Sequence, residues 1–174
     1  MTINQEVLSK IDLAQYLFQE FGDKIAQTPG FRGLLYDYKA EIRQSRQVMD
    51  ELALPAICTD CAVNAPGGGC CGPFVAGWYD PITLLLNLFF DVKFPDEPFY
   101  PDSCLFLGKH GCLLSARYHF CVNYLCSRIT QTVSTEELSR LTAQSGRELF
   151  LAWQLEAMIR DVLCSQGMAA DELI

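Results

Sequence analysis

At 174 residues, half of them hydrophobic, the chain is long enough to bury a core and too apolar to be disordered throughout. Its formal net charge of −8 repels phosphate backbones, which argues against generic binding to DNA or RNA. The most apolar run, Ile82 to Phe90, is far shorter than the roughly 20 residues that cross a bilayer, so no membrane partner is expected. The opening MTINQEVLSKIDLAQ lacks the basic-then-apolar build of a secretory signal. A cytoplasmic location is therefore expected, where thiols stay reduced.

The pattern predicts a mainly α protein. Residues 1–55 read as an N-terminal helical hairpin. Thr2 with Gln5 offers a capping box, and Val7, Leu8, Ile11, Ala14, Tyr16, Leu17, Phe18, Phe21 and Ile25 follow helical spacing. Thr28-Pro29-Gly30 breaks that helix. A second helix is expected from Gly33 to about Leu54, with Leu34, Leu35, Tyr38, Ile42, Met49 and Leu52 inward and Pro55 as its stop.

Residues 56–128 form a cysteine-rich module. It contains a glycine-rich loop at Pro66-Gly67-Gly68-Gly69. A short apolar helix should start at Asp80 as N-cap with Pro81 at its first position, followed by a loop holding Pro95, Pro98 and Pro101. Cys104 to Leu114 predicts a β-hairpin turning at Gly108 to Gly111, and a helix from about Ser115 to Ile129 carries Cys121 and Cys126. Residues 129–174 hold the last helix, which packs on the N-terminal hairpin. Ser134 with Glu137 caps it, Leu138, Leu141, Leu149, Ala152, Trp153, Leu155, Ile159, Val162 and Leu163 form its stripe, and Gly167 ends it. Gly146 inside it marks a bend or a close contact. The expected architecture is terminal helices packed as a bundle around an inserted metal-binding module with a short hairpin.

Eight of the nine cysteines fall in that module: Cys58, Cys61, Cys70, Cys71, Cys104, Cys112, Cys121 and Cys126. In a reducing compartment such a cluster reads as metal-binding before it reads as disulfides, and the odd total fits no closed disulfide framework. Cys58-x2-Cys61 supplies the commonest spacing for two sulfurs on one ion. The glycines before Cys70 let backbone approach the sulfurs closely. Adjacent Cys70 and Cys71 tend to point apart, which favours two neighbouring metals or a polynuclear cluster. Spacing alone leaves the assignment of each cysteine to a site open. Tetrahedral sulfur ligation suits Zn²⁺ and an iron–sulfur centre alike.

The run Cys58-x2-Cys61-x8-Cys70-Cys71, Cys104-x-Phe-Leu-x3-Gly-Cys112 and Arg117-x3-Cys121-x4-Cys126 resembles the zinc- or iron-chelating cysteine-cluster family, whose signature begins CxxCxxxCC. The resemblance covers residues 56 to 128. The gap from Cys61 to Cys70 is longer than usual, and Tyr118 and Val122 stand where Pro and Arg are common. A related cysteine arrangement occurs in flagellin lysine N-methylases. The resemblance implies metal chelation and no defined reaction.

Three functions are carried forward: a chiefly structural metal that organises a surface for a protein partner, an iron–sulfur redox or methylation-associated component, and metal delivery or storage. His110 and His119 are expected at the surface or beside the ligands. Arg117 should offset thiolate charge or pair with a carboxylate, and Asp60 and Asp80 should cap or face solvent. Phe18, Phe21, Trp78, Phe89, Phe90 and Trp153 read as core, as does Cys164, whose alternative is a free thiol. The glycine run lacks the Lys-Ser/Thr of a phosphate-binding loop, and no nucleotide or flavin motif is present.

Overall fold

The computed structural model describes residues 3–64, 66–169 and 173. Among them are seven α-helices: α1 (Ile3–Gln27), α2 (Phe31–Glu51), α3 (Leu54–Asn64), α4 (Pro81–Leu88), α5 (His119–Asn123), α6 (Ser127–Thr130) and α7 (Thr135–Ser165). Two 3₁₀ segments, Pro66–Cys71 and Pro73–Trp78, link α3 to α4. Strands β1 (Leu107–Gly108) and β2 (Gly111–Cys112) form a small antiparallel sheet that pairs Leu107 with Cys112 and Gly108 with Gly111. The chain is thus mainly helical with a short hairpin, as expected. Among the described residues no helix is long and apolar enough to cross a membrane.

Local chemistry sets the helix ends. Gly30 takes φ +85 at the start of α2, a left-handed backbone that glycine adopts without strain. Asp80 accepts the Thr83 N–H at 2.7 Å and Pro81 opens α4, as the sequence predicts. Ser134 and Glu137 cap α7 reciprocally. Its other end closes on Gly167 at φ +91, with Gly167 N–H bonded to the Cys164 carbonyl and Met168 N–H to that of Leu163. The expected Thr2–Gln5 box involves Thr2, which lies outside the described residues.

Two expected helices end differently. Pro55 does not stop the chain from being helical. After a break at Ala53 (φ +54) it sits in the first turn of α3, where a missing N–H costs nothing. Nor is there one helix over 115–129. There the fully buried Asn87 intervenes: its Oδ1 accepts the N–H groups of Ser115 and Ala116 at 2.8 and 3.0 Å, and its Nδ2 donates to the Ala116 carbonyl at 2.8 Å. With those groups spent on a side chain, helix starts only at His119, and Tyr124 (ψ 114) breaks it again before α6.

The core gathers Val7, Ile11, Ala14, Leu17 and Ile25 of α1, Phe31, Tyr38 and Ile42 of α2, most of α4, and Leu155, Ile159 and Leu163 of α7. Helix α2 packs along α7, and α4 packs on α1 and α7. The first half of α7 departs from its expected stripe. Gln144, Ser145 and Glu148 are buried there, Leu149 only partly. Phe18, Phe21, Phe89 and Phe90 pack against the core, whereas Trp78 and Trp153 are 39% and 63% exposed. Cys164 is also exposed. A side chain at Gly146 would meet nothing within 4 Å, so no close contact explains it.

Asn87→Ala leaves the buried N–H and carbonyl of Ala116 and the half-buried N–H of Ser115 without their partner and is expected to cost about 2–4 kcal/mol, read by denaturant unfolding. Glu156 on α7 is pushed up to about 7 by burial and then by Asp80, against the Thr83 hydroxyl at 3.1 Å and Arg160. Its folded value exceeds the ordinary 4.5, so folding stability is full below that value and declines as pH climbs toward about 7. Glu156→Gln should therefore raise stability at pH 8 by on the order of 2 kcal/mol and change it little at pH 4.

Candidate metal centre

The eight cysteines enter on short segments whose backbones aim them inward. Cys58 and Cys61 lie one turn apart on α3, and Cys70 and Cys71 end the 3₁₀ turn that follows. Gly69 sits at φ +56 so close to α3 that an added Cβ would lie 2.6 Å from the Cys61 sulfur. The expected close glycine approach is thus present. Cys104 donates its backbone N–H to the Cys71 carbonyl at 2.7 Å. Cys112 lies on β2, Cys121 on α5, and Cys126 is the N-cap residue of α6. All eight border one cavity of about 310 Å³, together with Arg46, Arg117, Tyr79 and His110. All nine cysteines are free thiols, and Cys164 lies apart from this cavity.

The thiols feel one another. Burial first, then Cys126, Cys61 and Cys58, pushes the Cys70 thiol up to about 11. Burial, then Cys104, Cys112 and Cys121, pushes Cys71 up to about 12. Cys104 is also pushed up to about 12, by burial and then by Cys112 and Cys121, although the Phe106 N–H opposes this. Burial raises Cys58, Cys112 and Cys121 too. Burial, which disfavours the charged form, is the largest cause in every case, and for all of them but Cys112 the neighbouring thiols add to it.

Several groups are placed to favour a thiolate once a cation arrives. The N–H groups of Phe106 and Leu114 point at the sulfurs of Cys104 and Cys112, each two residues back. The buried Tyr79 hydroxyl lies beside the sulfurs of Cys112 and Cys121 and has one proton to offer either of them. Arg117 lowers Cys112, Cys121 and Cys58, and Arg46 lowers Cys112. Hydrogen bonds and positive charge of this kind orient thiolate ligands and offset their charge. Arg117 also does the second thing expected of it: it pairs at 3.7 Å with Glu148, which is fully buried. Both Glu148 oxygens and Arg117 Nε lack hydrogen bonds among the described residues. Burial pushes the Glu148 carboxyl up, and Arg117 opposes it.

The sulfurs ring the cavity without closing on a point. Among the described residues no three His, Cys, Asp or Glu side chains lie close enough to hold an ion as they stand. The donor chemistry and supporting hydrogen bonds nevertheless fit a soft metal, whose binding requires side-chain closure about the cavity. Comparison with protein-family models, curated proteins and solved structures finds no match to this chain. His110 and His119 are both exposed, and His110 borders the cavity. Asp60 faces Arg128 at 3.1 Å and Asp80 caps α4, so neither is aimed at the sulfurs.

The sequence reading missed Tyr79 and Arg46. The first looks like one more core aromatic and the second like one more charge on a helix, and only the return of the chain brings either to a sulfur. Gly69→Ala forces a Cβ into the Cys61 sulfur from a left-handed backbone, so it should destabilise the protein by about 2 kcal/mol or more and loosen metal retention. Denaturant unfolding paired with metal analysis checks both outcomes.

Proposed function

We propose that this chain is a metal-binding protein that holds Zn²⁺ or an iron–sulfur centre through Cys58, Cys61, Cys70, Cys71, Cys104, Cys112, Cys121 and Cys126, the metal being chiefly structural. The observation that carries this reading is the meeting of all eight thiols, from segments as far apart as α3 and α6, around one cavity. In this reading 56–128 is the inserted metal module and α1, α2 and α7 are the bundle that bears it. Bound metal would add cross-links between segments whose regular structure is a two-pair sheet and short helices, and binding energy of that kind is folding energy.

A structural metal also orders the surface above it. Phe74, Trp78, Phe120 and Tyr124 contact one another in succession, tilted, edge-to-face and stacked, at 5.6, 4.9 and 4.4 Å between ring centres, and Phe74, Trp78 and Tyr124 are exposed. This run is where a protein partner is placed in the reading. The exposure of Cys58 favours one second reading, metal delivery or storage, in which the ion exchanges freely.

Elemental analysis of protein purified without oxygen, followed by chelation under circular dichroism and a thermal scan, tests the proposal. Bound zinc or iron is expected, and its removal should lower the thermal midpoint by well over 10 °C and reduce helical signal. Stripping without loss of fold turns the reading toward delivery, and protein that never retains soft metal overturns both.

A further inference from the structure

We propose that the eight cysteines form two four-sulfur sites, with Cys58, Cys61, Cys70 and Cys126 holding one metal centre and Cys71, Cys104, Cys112 and Cys121 holding the other. The peptide between Cys70 and Cys71 is the wall the two share. This rests on the metal-binding reading above and goes beyond it by assigning each ligand and a stoichiometry.

Two geometric features point to this division. The first is backbone placement. Gly69 presses the 3₁₀ turn against Cys61, and α6 packs on α3 with Arg128 bonded to Asp60 at 3.1 Å, which brings Cys126 to Cys58 and Cys61. On the other side the Cys104 N–H holds the Cys71 carbonyl at 2.7 Å, and the hairpin folds Cys112 back over Leu107. The second is packing. Cys71, Cys104, Cys112 and Cys121 all belong to the main core, whereas Cys126 packs with Leu54, Ile57 and Ile129 in a separate apolar cluster.

The split at adjacent residues has a geometric cause. In a 3₁₀ turn, with about three residues per turn, consecutive side chains diverge by roughly 120°, so Cys70 and Cys71 face different neighbours. The two sites differ in setting. The first includes the exposed Cys58, whereas the second includes the buried Cys104 and receives the Tyr79 hydroxyl. Each offers four soft donors, the number that completes a tetrahedral zinc or iron site.

Zinc added to the full-length apo-protein, with a chromophoric chelator in competition, tests the count. Wild type should take up two equivalents, and Cys58→Ser/Cys126→Ser and Cys104→Ser/Cys112→Ser one each. A single equivalent in wild type, or loss of both equivalents in each folded double variant, overturns the division. A second measurement needs no variant: wild type stripped to one equivalent, alkylated and mapped by peptide should show one intact set protected. Protection of a mixed set overturns the division while leaving metal binding in place. A wild type that takes up no zinc and no iron instead overturns the underlying reading.

Discussion

Everything in the central third of this protein follows from one constraint: eight sulfurs must face a common cavity without eight negative charges being stranded there. Uncompensated, those thiolates would repel one another in a poorly solvated wall, which is why burial and mutual proximity hold the thiols protonated. In the proposed reading a soft cation resolves the conflict, and groups that favour thiolates stand around the sulfurs. The N–H groups of Phe106 and Leu114, the Tyr79 hydroxyl and the guanidinium groups of Arg46 and Arg117 all lie on the sulfur side.

That solution reaches into the helices. Arg117 faces Cys112 on one side and the buried carboxyl of Glu148 on the other, so the charge at the sulfurs and the charge inside α7 share one cation. The Arg46 guanidinium donates to the Leu114 carbonyl at 3.0 Å, and Gln144 of α7 reaches Glu41 of α2 at 2.7 Å. The seam between helices and cysteine segments therefore carries specific polar contacts beside the apolar core that both share. Asn87 is its other fastening, tying α4 to the strand exit with three hydrogen bonds.

The parts legible in the sequence were those fixed by nearest neighbours. The Ser134–Glu137 box, the Asp80-Pro81 start, the Thr28-Pro29-Gly30 break and the hairpin at Gly108 to Gly111 are local devices, and each stands where expected. Misjudged positions were those decided from a distance. Asn87 broke a helix that begins 28 residues later in the chain. Polar Gln144, Ser145 and Glu148 took core places because α2, the Val122 carbonyl of α5 and Arg117 respectively offer them partners, while Trp153 and Cys164 lie exposed because α7 turns those positions to solvent. For the cysteines, spacing marked all eight; their grouping needed the return of α6 to α3 and of Cys104 to Cys71.

X-ray absorption at the edge of the bound metal, on the full chain purified without oxygen, tests the central claim most directly. The expected result is a first shell of about four sulfurs per metal at about 2.3 Å. A shell of nitrogen and oxygen at about 2.0–2.2 Å, or no retained absorber, would contradict it.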